Sequence, residues 1–147
     1  MYSSIRTAII TLLTDSQKFN AVYGYEPLNL ATFPCATVNA VSSQSSDLAT
    51  GTLTAPTQLD TYTFTIRLYY GVTQPGTTTD NQARKTALDT ILAKTDEVIN
   101  LFGSNRSLNG ACQKVQPVAT RIFETQREQV VMVSEITVNV DVVVKRV

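Results

Sequence analysis

The side chains that most often catalyse reactions or hold metals are sparse in this sequence. Histidine, the commonest general base and metal ligand, is absent from all 147 residues. The two cysteines, Cys35 and Cys112, therefore cannot form a Cys–His catalytic pair or an ordinary zinc site. We interpret them as two free thiols and not as a disulfide, because we expect the chain to fold in the cytosol.

The acidic residues and glycines add no catalytic pattern. Asp96 and Glu97 are adjacent in a predicted helix and so point in different directions, and Asp89 is two helical turns before Asp96. We interpret these carboxylates as part of a hydrated helix face. The six glycines form neither a dinucleotide-binding nor a phosphate-binding loop. We therefore predict no catalytic residues, no metal ligands and no cofactor, and hence a protein that is not an enzyme.

The charge balance narrows the class of partner. Twelve basic and twelve acidic residues give a net charge of zero, and only 16% of the chain is charged. Proteins that bind nucleic acid usually carry a clear basic excess, so we do not expect sequence-specific binding to DNA or RNA. Uncharged polar residues supply the surface polarity instead, and they leave little repulsion between copies. This composition is typical of a subunit that packs against others, and equally of a neutral soluble protein.

No apolar segment suggests contact with a membrane. None approaches the roughly 18 residues that a spanning helix needs. Arg6 interrupts the apolar stretch near the N-terminus, where a secretory signal would be continuous. We therefore expect no membrane association and folding in the cytoplasm.

Two segments have the apolar spacing of helices. Ile5, Ile9 and Leu13 recur at helical intervals in the first. The second covers about Ala83–Phe102 and is followed by Gly103, a common helix stop. We expect its apolar stripe to bury five residues against a sheet: Leu88, Ile91, Leu92, Val98 and Ile99.

Alternation of apolar and polar residues predicts the strands. The clearest is Asp60–Val72, with Tyr70 predicted on the buried face and Tyr69 on the wetter face. Further strands are predicted at 21–25, 33–41, 115–124 and 130–145, the last with a valine-rich face interrupted by Ser134. The order of elements predicts one α+β domain over 1–147. We expect a mixed or antiparallel sheet with two main helices packed on one face.

The segment 42–59 is rich in serine and threonine and carries one charge, Asp47. At about 18 residues it is longer than most connections. It is either a long polar loop or a protruding hairpin that turns near Gly51. Ordering it costs about 1–2 kcal/mol per residue, and it has few apolar groups to offset that cost. We therefore predict that it contacts a neighbouring subunit or a tube, through Asp47, Leu48, Leu53 and Gln58.

The succession of elements resembles a known family. The resemblance extends over nearly the whole chain and rests on hydrophobic patterns: the helix at 5–13, the segment Pro34-Cys35-Ala36-Thr37-Val38, the polar excursion, the aromatic strand at 62–69, the amphipathic helix at 83–92 completed by Val98-Ile99, and two β-rich segments at the end. In this order the elements resemble the tail terminator (tail completion or head–tail joining) proteins of long-tailed bacteriophages.

The resemblance implies a structural virion subunit at the head–tail junction. Such proteins form a homo-oligomeric ring, commonly a hexamer, that caps the tail tube and ends its polymerisation. The implied partners are the tail-tube protein and the head-completion (connector) protein, with DNA passing through the ring. Two alternatives stay open: another phage neck or tail-tube structural protein, and an unrelated α+β module that binds a small ligand.

Overall fold

A computed structural model describes residues 1–28, 30, 32–47, 57–72, 81–126 and 130–145 of the chain. Two helices and five strands make up the described fold. In chain order they are α1 (Tyr2–Asp15), β1 (Ala21–Tyr23), β2 (Cys35–Asp47), β3 (Thr57–Gly71), α2 (Asn81–Ser104), β4 (Lys114–Gln126) and β5 (Val130–Lys145).

The strands form one sheet in the order β1-β2-β3-β5-β4. β1 pairs with β2 in parallel, and the other neighbours are antiparallel. β3 and β5 are the central pair and stay in register from Thr57 opposite Lys145 to Gly71 opposite Val131. The sheet is therefore mixed. Its edge strands are β1, which pairs with only the first part of β2, and β4, and they lie on opposite sides of the sheet.

Both helices pack on the same face of the sheet. α1 lies over β1 and β2 and buries Ile5, Ile9 and Leu13, while α2 lies over β3, β4 and β5. The strand residues below them include Phe64 and Ile136, which have no exposed surface. Alternation in β3 and β5 turns every second side chain toward this core. The predicted α+β class, with two helices on one face of a mixed sheet, is confirmed.

The predicted contact stripe of α2 is wrong in part. Ile91 and Val98 are fully buried as expected, but Leu88 and Leu92 are 38% and 43% exposed and Ile99 is half-buried. The residues that α2 buries are Ala87, Ile91, Thr95, Val98 and Phe102. The apolar part of the helix surface is wider than the strip that reaches the sheet, and Leu88, Leu92 and Ile99 lie on its flank.

Ser134 interrupts the valine face of β5 because it bonds to α2. Its hydroxyl lies 2.6 Å from that of Thr95, and Thr95 also donates to the carbonyl oxygen of Ile91 at 2.7 Å. Both side chains are buried, so each hydroxyl needs a partner inside the core. The pair gives α2 a buried polar contact with the sheet.

The opposite face of the sheet carries a second, smaller apolar cluster. Tyr69 is its largest side chain and is only 2% exposed, so its predicted place on the wet face is wrong. Cys35, Val131 and Val133 surround it, and Phe33 packs against the group. Alternation does send Tyr69 to the face away from the helices, but the segment between β1 and β2 covers that end of the face.

The two cysteines are free thiols on different sides of the sheet. Cys35 is buried in the cluster around Tyr69, whereas Cys112 is half-buried and packs against the helix-side core. Burial raises the pKa of the Cys112 thiol, which favours its protonated form.

Candidate interaction surfaces

The structure places only part of the predicted interface segment. Asp47 ends β2 and is paired with Gln58, the second residue of β3, while Leu48 and Leu53 lie outside the described residues. Residues 42–47 and 57–59 thus belong to paired strands, as in the hairpin alternative. Gln58 is also paired with Val144 of β5, so its backbone has a strand on both sides. Of the described residues in this segment, those of β2 lie at an edge.

Beyond Thr37, no described strand pairs with the outer side of β2. β1 pairs only with Cys35 to Thr37, and beyond that point the described strands pair with β2 on one side only. A bulge between Ala40 and Ser42 leaves Val41 unpaired and 59% exposed. Residues 42–45 are exposed as well. We call the stretch Val38–Ser45, which contains Val41, the β2 edge.

β4 forms the edge on the other side of the sheet. All 13 residues of this strand lie beside β5, and no other described strand pairs with it. A bulge between Pro117 and Ala119 leaves Val118 unpaired and 50% exposed. Proline is tolerated here because an edge strand does not need every amide for the ladder.

The exposed leucines of α2 lie on the flank that turns toward β4. Arg84 at the start of this flank pairs with Glu124 of β4 at 3.4 Å, and Ile99 near its end lines a groove with Lys114–Pro117. Leu88 and Leu92 lie between these points at helical spacing. We call the outer side of β4 together with Val118, Leu88 and Leu92 the β4 edge.

A charged network occupies the sheet face away from the helices. One oxygen of Glu26 accepts hydrogen bonds from Thr37 (2.6 Å), Asn39 (2.9 Å) and Arg67 (3.2 Å), and the other accepts from the Tyr69 hydroxyl at 2.7 Å. Burial by itself would raise the pKa of Glu26, but the hydrogen bonds and the Arg67 charge together lower it below the usual value.

The network continues across the sheet to β4. Arg67 donates to Glu135 at 2.9 Å, and Arg121 lies 3.6 Å from the same carboxylate and over the ring of Phe123. Glu26 and Glu135 raise the pKa of Arg67 against the opposing effect of its burial. Four charged side chains, Glu26, Arg67, Glu135 and Arg121, thus connect β2, β3, β5 and β4 on this face.

Two further hydrogen-bonded polar pairs follow along the same face. Thr61 donates to Asp141 at 2.8 Å, and Thr63 donates to the side-chain oxygen of Asn139 at 3.0 Å. These side chains are half-buried by one another, and neither described helix covers them. The polar side chains of this face bond to one another and their charges are nearly balanced, so the face offers no concentrated charge to a ligand.

No protein-family model matches the chain, and no curated protein matches its sequence. Within the described part of the chain, no group of three or more cysteine, aspartate or glutamate side chains could hold a metal ion. Neither α1 nor α2, the described helices, is long and apolar enough to cross a membrane.

A groove of about 400 Å³ lies between the C-terminal ends of α1 and α2. Its walls come from the second half of α1, from Ser104 and Asn105, and from Ser107–Asn109, and Asp15 is the one ionisable residue in this lining. The volume lies within the range of small-molecule sites. This groove is where the small-ligand alternative would place its ligand, but most of its lining is small polar side chains instead of the usual apolar wall.

Sequence patterns pointed to some of these surfaces and missed others. Pro117 inside a predicted strand signals an edge or a bulge, and Val41 breaks the alternation of Ala36, Val38 and Ala40. Both signals could have located the bulges. Glu26 lies in a turn beside Pro27, and no local pattern shows that it accepts bonds from two strands.

Proposed function

We propose that the protein is a structural subunit that assembles with copies of itself into a ring at the end of a phage tail tube. In this role, that of a tail terminator, the ring stops tube growth and presents its other side to the head connector. The subunit works by contact, without catalysis, inside the virion. The sequence resemblance to tail terminator proteins supports the tail role, and it implies a ring that is commonly a hexamer.

One structural observation carries the proposal of self-assembly. The sheet has two open edges that differ in sequence and lie on opposite sides of the described fold, and both expose apolar side chains. A ring requires two different complementary surfaces on each subunit, because its contacts are head-to-tail. A subunit with only one available sheet edge would instead favour a dimer, in which that edge pairs with itself.

The test compares the chain alone with the chain added to polymerising tail-tube protein. We expect a discrete ring in solution or on the tube end, measured by mass photometry and electron microscopy. Added before polymerisation, the protein should shorten the tubes in proportion to its concentration. Tubes of unchanged length, with no density at their ends, would contradict the terminator role.

The same experiment separates the alternatives. A tail-tube protein would polymerise into long tubes by itself, and another neck protein would form rings that bind the connector but leave tube length unchanged. A ligand-binding module would stay monomeric at every concentration. Its groove between the helix ends would then be tested with Asp15→Asn against a panel of small cations and amines.

A further inference from the structure

The strands at the two open edges of the sheet, β2 and β4, run in opposite directions. β2 is antiparallel to β3, β3 to β5 and β5 to β4, so β4 runs against β2. When one copy is rotated about an axis along the strands and placed beside another, its β2 lies antiparallel to the neighbour's β4. The sheet would then continue across the contact with the same antiparallel pattern that it has inside the subunit.

The bulges on the two edges lie on opposite sides of the same row of the sheet, the row of Phe64 and Val138. Val41 falls between the rows of Phe64 and Thr63, and Val118 falls between the rows of Val138 and Thr137. Phe64 is itself paired with Val138. A neighbour shifted along the strands by about one residue therefore brings one exposed valine beside the other, and both strands bend next to that row.

The β2 edge also lacks the features that usually prevent strand addition. Edge strands are commonly protected by lysine, proline or a covering element. The residues from Val38 to Ser45 include no charged residue and no proline, and β1 ends before them. β4, in contrast, carries Pro117 and exposed charges such as Arg121, which restrict the strands that it accepts.

We infer that β2 of one copy adds to β4 of the next as an antiparallel strand, with Val41 beside Val118. Leu88 and Leu92 lie on the flank of α2 above β4, where the added strand gives them an apolar partner. The inference rests on the proposed function, because it names the contact that closes the proposed ring. The partner that we infer for the β4 edge is a second copy of this chain. The direction and length of its β2 fit β4, and the bulges of the two strands lie next to the same row of the sheet.

Cysteine cross-linking tests the contact. Single variants Val41→Cys and Val118→Cys are made in a Cys112→Ser background, where the remaining native thiol, Cys35, is buried. With copper phenanthroline as the oxidant, we expect disulfide-linked dimers when the two single variants are mixed and none from either alone. The double variant should give a ladder of covalent multimers that ends at the ring.

Matched variants exclude random collision and show the effect on assembly. Thr7→Cys, an exposed position on α1, should not cross-link to Val118→Cys. Val41→Lys should convert the ring to monomers without changing the circular dichroism spectrum, whereas Thr7→Lys should leave the ring intact. Val41 is already exposed in the single copy, so loss of the ring would not reflect unfolding.

The outcomes separate this contact from the proposed function. A ring that forms without the mixed cross-link, or that survives Val41→Lys, overturns the β2–β4 contact and leaves the proposed ring standing. Dimers from Val118→Cys alone would show a two-fold β4–β4 contact and overturn the inference as well. Absence of any ring, on its own or on a tube, removes both proposals.

Discussion

Adjacent residues of α2, Ile91 and Leu92, should differ sharply in their contribution to stability. Ile91 has no exposed surface, whereas 43% of Leu92 is exposed. Both changes to alanine favour helix formation, so propensity costs nothing in either variant. The backbone carbonyl of residue 91, which accepts the Thr95 hydrogen bond, is present in both variants. The comparison therefore isolates side-chain packing.

The expected difference follows from burial. Ile91→Ala removes three buried carbon atoms, which cost about 0.8 kcal/mol each in transfer free energy, and it leaves a cavity under α2. We expect a loss of about 3 kcal/mol in the free energy of unfolding. For 147 residues, an unfolding entropy of roughly 2 cal/mol/K per residue converts that loss into a fall of roughly 10 °C in Tm. Leu92→Ala should cost roughly 1 kcal/mol or less, since much of its surface already meets water.

Urea unfolding followed by circular dichroism measures both free energies, with all proteins held in the same oligomeric state. The slope of unfolding free energy against urea should be unchanged, which would show that the variants unfold from the same fold. Equal losses for the two variants would refute the placement of α2 on the sheet. A larger loss for Leu92→Ala would show that the helix is rotated so that its flank faces the core.

Two further predictions concern polar groups. Thr95→Val should cost about 1–3 kcal/mol because it leaves the buried Ser134 hydroxyl without its partner. Ser134→Ala should cost less, since Thr95 keeps its bond to Ile91, and urea unfolding of the double variant should show the two effects to be non-additive. The folded-state pKa of Glu26 is below its ordinary value of 4.5, so its carboxylate stabilises the fold above that value, and the stabilisation is lost as pH falls through the folded pKa. Unfolding free energy measured across that range should therefore fall less steeply with acid in Glu26→Gln than in the parent chain.

The periodic parts of the fold were predictable because burial repeats with the element. The alternation of β3 and the spacing of Ile5, Ile9 and Leu13 each identify a face before any tertiary contact is known. Leu88 shows the limit of this reasoning. Periodicity tells which residues share a flank of a helix, but the width of the contact depends on how the sheet curves beneath it.

Contacts between distant segments were not predictable from local patterns. Tyr69 is buried because residues 30 and 33, far earlier in the chain, cover its face. Glu26 meets Arg67 because the parallel pairing of β1 brings the following turn across β2. The open edges belong to the same class, since a strand is an edge only in relation to its neighbours. Pro117 is the exception, because proline marks an edge through its own missing amide.

Charged side chains are distributed unevenly between the face of the sheet that lies away from the helices and the β2 edge. Glu26, Arg67, Glu135 and Arg121 form their ion pairs across the strands, so their charges are largely neutralised within the subunit. The β2 edge, from Val38 to Ser45, keeps no charge at all. Charge on an edge is the usual means by which a β-protein stays monomeric. Because the outer side of β2 from Val38 to Ser45 has no charge and no described strand beside it, this stretch suits the strand addition that we propose. The apolar flank of α2 lies beside β4, the strand that would receive it.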